Sequence, residues 1–430
     1  MDARVKVVGG IVGLSALLAL SPVAGAQSPG ASGGASGGGD PASVMAWNDI
    51  AVNAAVTVAK KSPPESLIFL GLAQAAVYDA VVAIDGGYQP YGTALPAQPG
   101  ASLEAAVAAA AHDVLVHYFP DQKADLDTAY TAALAAIADG DAKTTGVTLG
   151  QASAAATIAA RAGDGMGADV GFVMPTAAPG VWQLPPDQKP LAPWMAKLKP
   201  FMLTSADQFL PPPPPALTSV DWATEFNETK TMGGADSTVR TPEQTLIAQF
   251  FSAQAAGQEN AALRKVIGDH GMNAMEAARL YAMMNMVGAD AITACMNAKY
   301  TYLFWRPAYA IPGADADGND ATVADPAWKP LLATPTHPEY PSNHACYTSA
   351  EAKVLTSVLG TDQIDFTLTS SATKDTLPTQ HFATTKEYID EVLNARIWGG
   401  LHFRGSDNAG VDVGNQVADW TLARNFQPVP

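Results

Sequence analysis

Residues 336–344 read THPEYPSNH, and an apolar helical pattern follows from about Ala345. The prolines keep this backbone extended, which places Ser342 or Asn343 at the predicted N-terminus of a helix. Free backbone N–H groups and the positive end of the helix dipole favour an anion at such a position. The Ser342 hydroxyl and the His344 imidazole would face the same point, although an ordinary N-cap serine and a structural histidine fit the same letters.

A second stretch, residues 299–307, reads KYTYLFWRP and carries two long cations. Lys299 and Arg306 are seven residues apart, which would bring them almost onto one face of a helix, two turns apart. Two cations on one face repel each other unless an anion lies between them. Surface positions or carboxylate partners are the alternative, so this pattern alone does not decide.

A third stretch, residues 396–407, reads RIWGGLHFRGSD. Arg396 and His402 are six residues apart, so they do not share one face of a regular helix. Gly399 and Gly400 offer a break that could re-aim His402. Arginine presents a planar fork of donors to an oxyanion, and a histidine nitrogen can act as ligand or nucleophile. The alternative is a helix-end cation followed by a loop histidine.

The rest of the sequence is predicted to be mostly helical, because apolar residues recur at three- and four-residue spacing and alternating β-patterns are nearly absent. The predicted helices cover residues 46–60, 67–84, 102–118, 122–138, 147–161, 243–254, 257–268, 272–300, 343–359, 385–398 and 407–425. Thr241 is predicted to cap the helix that Pro242 begins. We therefore expect an all-α fold, one large helical bundle domain over residues 41–430, with its active-site half at about 241–430.

Between the two groups of helices, residues 170–220 are rich in proline and glycine. Residues 211–215 are five consecutive prolines, which can form neither a helix nor a central strand. This segment is predicted to be an extended strap across the surface, with a linker between domains as the alternative.

The N-terminal stretch is predicted to be a targeting signal. Residues 1–26 combine Arg4 and Lys6 with an apolar run and end in small residues before Gln27, which is typical of a secretory signal peptide. Residues 27–40 are rich in Gly and Ser and should form a flexible tether. We expect a secreted or periplasmic protein whose mature form has no membrane span.

The charge of the chain narrows the classes of partner. The 430 residues are 48% hydrophobic and carry a net charge of −17, so a large core can be buried. This acidic balance argues against nucleic-acid binding and against docking on anionic lipid. Removal of residues 1–26 would leave 40 acidic and 22 basic residues, a net charge of −18. Any anion site must therefore depend on a local cluster of Lys and Arg.

Two minor features leave alternatives open. Cys295 and Cys346 are the only cysteines and make no disulfide scaffold. Export would permit one disulfide bridge between them, but two free buried thiols are the favoured prediction. Residues 315–320 form a short acidic loop that lacks the EF-hand spacing, so a solvated turn is favoured over a calcium site.

Taken together, the three stretches give K-x6-R-P, then P-S-x-H, then R-x5-H. This combination resembles the vanadium-dependent haloperoxidases and their relatives in the type 2 phosphatidic acid phosphatase superfamily. The resemblance covers residues 299–407 at the level of motifs. Residues 73–80 and 237–243 are more weakly similar to secreted bacterial members. The resemblance implies a helical bundle fold and an oxyanion site.

The resemblance also implies a vanadate cofactor, or a phosphate in the same place. The residues that would hold it are Lys299, Arg306, Ser342, Asn343, His344, Arg396 and His402. The cations would offset its charge, while the Ser342 hydroxyl and the Asn343 backbone N–H would add donors. His402 would be the metal ligand, or the phosphoryl-accepting nucleophile of a phosphatase, and His344 the general acid/base. The predicted catalytic residues are the same residues without Ser342 and Asn343.

Two positions depart from the family pattern. The family usually has Gly where Asn343 stands, but Asn tolerates a left-handed backbone better than most residues, and its N–H remains. The fourth position after the apical histidine is often Asp. Here it is Ser406, with Asp407 next to it, and either could orient the His402 imidazole.

Two reactions can use this cradle, because vanadate and phosphate share shape and charge. The favoured function is oxidation of a halide by hydrogen peroxide, followed by halogenation of a small organic acceptor. Phosphomonoester hydrolysis through His402 is the alternative, and a non-catalytic oxyanion-binding protein is a third. Trp305 and His337 resemble the peroxidase branch, and His337, seven residues before His344, favours bromide over chloride. The resemblance further suggests a homodimer.

Overall fold

The computed structural model describes residues 38–92 and 94–429. In that part of the chain, thirteen α-helices and one two-stranded hairpin account for nearly all regular structure. The predicted signal peptide and nearly all of the predicted tether lie outside the described residues. The predicted all-α fold is confirmed.

Five helices form the N-terminal group. They are α1 (Ala42–Val52, continued by a π-helical turn over Asn53–Val58), α2 (Pro63–Asp85), α3 (Leu103–Tyr118), α4 (Lys123–Ala135) and α5 (Asp141–Ala160). Ser62 and Glu65 form a capping box at the start of α2, where Pro63 occupies the first helical position. In this group α3 packs on α5, and α2 packs on α3.

Eight helices follow the proline-rich segment. They are α6 (Val220–Gly233), α7 (Pro242–Phe250), α8 (Ala255–Asp269), α9 (Ala274–Tyr302), α10 (Pro307–Ala310), α11 (Asn343–Leu359), α12 (Thr385–Trp398) and α13 (Arg404–Leu422). Thr241 caps α7 in a capping box with Gln244, as predicted. The long α9 contacts α2 on one side and α11 on the other, so it joins the two groups of helices.

Helix α2 is the one described helix that is long and apolar enough to cross a membrane. Of its most apolar 18-residue window, 94% is buried inside the protein. The side chains from Ser66 to Ala83 are buried on every face of the helix. A helix that is apolar all round fits the centre of a large bundle, where neighbours cover each face.

The two cysteines are bonded to each other, which corrects the preference for free thiols. Cys295 lies on α9 and Cys346 on α11, and a disulfide joins them. Both side chains are fully buried. The packing of α9 against α11 brings together two positions separated by 51 residues. The bridge fastens the two helices that carry Lys299 and His344.

The sequence patterns missed two helices, α6 and the four-residue α10, and one hairpin. Helix α6 begins at the end of the segment that was predicted to be an extended strap. Strand β1 (Gln363–Thr369) pairs antiparallel with β2 (Thr379–Thr384), and Phe366 lies opposite Phe382. Within β1, alternate residues are buried, because one face of the hairpin lies on α8 and α11. Such a short alternation is easily hidden in a helical sequence.

The five prolines carry neither helix nor strand, as predicted. Two tyrosines fix this segment: the Tyr302 hydroxyl donates to the Pro211 carbonyl, and the Tyr340 hydroxyl donates to the Pro212 carbonyl at 2.7 Å. Tyr302 ends α9, and Tyr340 lies in the extended stretch before α11. The strap is therefore attached to the same segments that present the site residues.

Candidate active site

Lys299 and Arg306 meet in the site, but the reason given from their spacing is wrong. Helix α9 ends at Tyr302, and Leu303 adopts a left-handed conformation with φ of 50°. Arg306 therefore lies beyond the helix, as the N-cap residue of α10. The two side chains converge because the chain turns back at Leu303, and both donate to carbonyls of the segment before α11.

The break that was predicted between Arg396 and His402 is present. Helix α12 ends at Trp398, and Gly400 has φ of 70°, a region that favours glycine. A Cβ atom at Gly400 would also collide with the carbonyl oxygen of Gly233. This tight turn sends the backbone back toward Arg396, since Leu401 N–H donates to the Arg396 carbonyl at 3.1 Å.

Lys299 is fully buried at the end of α9. Its ammonium donates to the carbonyls of Pro338, Glu339 and Pro341. An ammonium has three donors, so all of them are engaged. Burial, together with the nearby Arg306, holds the pKa of Lys299 well below its usual value. Lys299 thus fixes the extended stretch before α11 and brings positive charge, and it would have to release a carbonyl to donate to an anion.

Arg306 ties three parts of the site together. Its Nε donates to the His337 carbonyl at 3.0 Å, and one Nη donates to the Leu401 carbonyl at 2.9 Å. The guanidinium also lies 3.2 Å from His402 Nε2 and 2.9 Å from His337 Nδ1. Burial lowers the pKa of Arg306 to about 9, so it remains protonated at neutral pH. An arginine can only donate, which makes both of those histidine nitrogens acceptors.

His402 is oriented by Glu339. Its Nδ1 lies 2.8 Å from Glu339 Oε1, which also accepts from the Phe403 backbone N–H at 3.0 Å. Because Arg306 donates to Nε2, the proton of neutral His402 belongs on Nδ1, where the carboxylate accepts it. Burial and nearby cations hold the pKa of His402 well below its usual value. The result is a neutral imidazole with an Nε2 lone pair directed toward the cations.

The group that orients His402 is therefore Glu339. The sequence-based prediction that Ser406 or Asp407 would orient this imidazole is wrong. Ser406 acts one step further away, since its hydroxyl donates to Glu339 Oε2 at 2.9 Å. Asp407 is fully buried near Arg396, and burial raises its pKa to about 8. Glu339 is also fully buried, and burial raises its pKa to about 7 despite the opposing effect of Arg306.

Ser342 and Asn343 form the start of α11. Ser342 is the N-cap residue but makes no side-chain cap, and Asn343 is the first helical residue. Asn343 does not have a positive φ, so the backbone conformation that glycine favours is not needed here. The first backbone N–H groups of a helix have no partner within it. They are available to an anion, together with the Ser342 hydroxyl.

His344 and His337 lie at the cavity side of the site. Burial and the cations Arg396 and Lys299 keep the pKa of His344 well below its usual value, so it is neutral at neutral pH. The His344 ring lies 5.5 Å from the ring of Tyr347. His337 is buried, and its Nδ1 accepts from Arg306, which leaves its proton on Nε2.

The site fits an oxyanion by its charge and by its free donors. Ser342 Oγ and Arg396 Nε are buried, and neither has a hydrogen-bond partner among the described residues. Lys299, Arg306 and Arg396 are three buried cations. The nearby carboxyls have pKa values raised to about 7 and 8, so they offset these cations only in part at neutral pH. An anion here would complete both the hydrogen bonds and the charge balance.

The acidic loop is not a purely solvated turn. Asp317 is buried and accepts from the Trp222 indole at 3.0 Å and the Thr322 hydroxyl at 2.7 Å. These two donors satisfy the Asp317 carboxylate with hydrogen bonds inside the protein. Among the described residues, no group of three or more His, Cys, Asp or Glu side chains could hold a metal ion.

The sequence missed Glu339, although it stands inside the quoted THPEYPSNH stretch. The available signal was an acidic residue in a proline-held segment between His337 and His344. A local pattern cannot show that this carboxylate contacts a histidine 63 residues later. The part of the cavity wall that α2 supplies, through Pro63, Pro64 and Leu67, was missed for the same reason.

Comparison with known proteins finds a match for the C-terminal part of the chain. Residues 279–429 match the model of the VCPO second helical-bundle domain. A vanadium chloroperoxidase of Curvularia inaequalis is 26% identical over 192 residues, which span 37% of this chain and 31% of that protein. The matched region is thus less than a third of the relative's length.

Solved structures extend the likeness over most of the chain. A bacterial vanadium-dependent iodoperoxidase superimposes with a TM-score of 0.76 at 22% identity, over 90% of this chain and 97% of that one. A holo-type bacterial vanadium-dependent chloroperoxidase gives a TM-score of 0.72 at 18% identity, over 89% and 97%. At these identities the structures establish a shared fold. The chain thus shares the fold of these vanadium haloperoxidases, and its residues 279–429 match the model of their second helical-bundle domain.

Proposed function

We propose that the chain is a vanadium-dependent haloperoxidase, which oxidises a halide with hydrogen peroxide and passes the oxidised halogen to a small organic acceptor. The observation that carries the proposal is the cluster of three buried cations around unpaired donors, beside a histidine whose Nε2 is held without a proton, as an acceptor. The family and the fold of the structural neighbours support the same reaction.

Each residue has a part that its contacts support. Lys299, Arg306 and Arg396 offset the charge of the anion, and the Ser342 hydroxyl and Asn343 N–H donate to it. A bound vanadate would supply Lewis-acid activation of hydrogen peroxide, and the vanadium would keep its oxidation state. His402 offers Nε2 as the ligand, because Glu339 and Arg306 fix its tautomer.

His344 is proposed as the acid/base. It is neutral at neutral pH, so it can take a proton from hydrogen peroxide that enters from the cavity. The same imidazole can return that proton to the leaving oxygen. His337 donates only through Nε2, since Arg306 occupies Nδ1. We propose bromide over chloride as the preferred halide, with that N–H facing the cavity.

The setting of the enzyme is part of the proposal. The signal-like residues 1–26 support export, to the periplasm or the medium. The buried disulfide agrees with an oxidising compartment. A homodimer is proposed from the family resemblance.

The first experiment separates the two reactions that one cradle can support. Purified protein is given vanadate and hydrogen peroxide together with iodide, bromide or chloride, and halogenation of a phenol dye is followed. Hydrolysis of p-nitrophenyl phosphate is measured on the same protein without vanadate. Halogenation that requires vanadate supports the proposal, whereas phosphate release with no halogenation would identify a phosphatase that uses His402 as nucleophile.

Two variants test the assigned roles. His402→Ala should abolish vanadate binding, measured by equilibrium dialysis. His344→Ala should keep vanadate binding but lower the turnover by about 100-fold, in the usual range for a general acid/base. The exposed His117 provides the control, since His117→Ala should change neither quantity. Unchanged turnover in His344→Ala would remove it from the mechanism.

A further inference from the structure

A cavity of about 450 Å³ opens beside the anion cradle. His337, His344, Arg396 and His402 lie at its inner end. Its other walls are mainly apolar and come from separate parts of the fold. Among these wall residues are Pro64, Leu67, Leu191, Phe251, Ile292 and Leu332.

Much of this wall lies outside the region that matches the family model. Leu67 belongs to α2, and Leu191 lies within the Pro- and Gly-rich segment. Residues 251–253 lie in the turn between α7 and α8, and residues 255–256 begin α8. The matched region begins at residue 279. Helix α2, the Pro- and Gly-rich segment and the start of α8 thus supply a surface that the three sequence motifs do not require for holding an oxyanion.

The charges that face the cavity limit what it can hold. Among the described residues that line it, none is Asp or Glu. A cationic molecule would meet Arg396 with no carboxylate in the cavity lining to compensate its charge. An anionic molecule would compete with the oxyanion for the same guanidinium, and its charge would otherwise lie against apolar walls. A neutral apolar molecule gains from burial without either cost.

We propose that this cavity binds the organic acceptor as a neutral, apolar molecule of one or two rings, so that halogen transfer occurs next to the cradle. The inference rests on the proposed function for its chemistry. Bromide, hydrogen peroxide and a proton give hypobromous acid and water. The acceptor ring then loses a C–H bond and gains a C–Br bond, while hydroxide and the ring proton leave as water.

The size of the cavity supports this class of acceptor. A cavity of about 450 Å³ lies at the smaller end of sites that hold organic ligands. It can enclose a whole bicyclic aromatic molecule beside an oxyanion. A polymer, or a side chain on the surface of a folded protein, could insert only a part of itself through the mouth. Ser252 and Ala253 line the cavity and are at least partly exposed, on the turn between α7 and α8.

The test compares two acceptors that differ in charge. 2-Naphthol and 6-hydroxy-2-naphthalenesulfonate are mixed with the vanadate-loaded protein, bromide and hydrogen peroxide, and product ratios are measured. Reagent hypobromous acid gives the ratio that reactivity alone sets. We expect the protein to favour 2-naphthol by about tenfold beyond that ratio, because even one methylene in an apolar pocket is worth roughly tenfold. A ratio equal to the reagent's would overturn the inference.

Binding without peroxide gives a readout that does not depend on activity. 2-Naphthol should bind saturably to the protein, measured by saturation-transfer NMR, and Ala253→Trp should abolish that binding by filling the mouth. Ala124→Trp places the same side chain at an exposed position of α4 and should leave binding unchanged. If triiodide forms from iodide but 2-naphthol does not bind, the inference fails while the proposed function stands. If 2-naphthol binds but no halide is oxidised, the proposed function fails instead.

Discussion

The contact between Glu339 and His402 allows a sharp test of how the candidate ligand is held. In Glu339→Ala, the His402 Nδ1–H and the Phe403 N–H lose the oxygen that accepts from both, at 2.8 and 3.0 Å. The imidazole can then move its proton to Nε2, and a protonated nitrogen cannot bind a metal. Loss of such an orienting partner usually lowers metal affinity by about 10- to 100-fold. That range corresponds to about 1.4–2.7 kcal/mol.

Charge alone predicts the opposite result, which makes the experiment decisive. Removal of a carboxylate leaves Lys299 and Arg306 less compensated, and this would strengthen anion binding. The charge effect is reduced because burial raises the pKa of Glu339 to about 7, so the group is only partly ionised at neutral pH. We therefore expect orientation to dominate and the vanadate affinity of Glu339→Ala to fall.

The assay is equilibrium dialysis with vanadate at pH 7, together with thermal unfolding to check the fold. Glu339→Gln keeps an oxygen for the two donors, so it should bind vanadate several-fold better than Glu339→Ala. Glu225 is the matched control, since it is also buried and accepts a backbone N–H, from Gly405. Glu225→Ala should bind vanadate like the unaltered protein. Unchanged affinity in Glu339→Ala, or equal losses in both Glu339 variants, would refute the orientation argument.

Three other predictions follow from burial and charge. Lys299→Met should lower the free energy of unfolding by about 3 kcal/mol, since three buried carbonyls lose a charged donor, and urea unfolding measures the loss. Replacement of both Cys295 and Cys346 by Ala should cost about 4 kcal/mol from the loop that the bridge closes, seen as a lower Tm. The pKa of His344, followed by NMR, should lie below its usual value without ligand because of burial and nearby cations. It should rise when inorganic phosphate is added, because the anion offsets those cations. No rise with phosphate bound would place the anion away from His344.

Local patterns predicted the helices well. The segments 343–359 and 385–398 coincide with α11 and α12, because apolar spacing and caps act within a few residues. The Thr241 cap was found for the same reason. Helix α6 and the hairpin were missed, since each has a short apolar pattern that its packing against neighbours stabilises.

The candidate site was found from the sequence as a set of residues, but part of its geometry was predicted wrongly. Lys299 and Arg306 were placed on one helical face, whereas the left-handed turn at Leu303 ends the helix between them. The break at Gly400 was anticipated, since two adjacent glycines rarely continue a helix. The difference is that a glycine announces a turn, whereas a leucine with positive φ does not.

The sequence by itself determined the all-α fold, the three motifs and the cations that surround a proposed anion. These features depend on residue types and on spacings within single segments. Only the tertiary structure decided that Glu339 orients His402, that Cys295 bonds to Cys346, and that α2 forms part of the cavity wall. Such contacts join residues far apart in the chain. Their existence depends on how the helices turn and pack, and no local pattern encodes those angles.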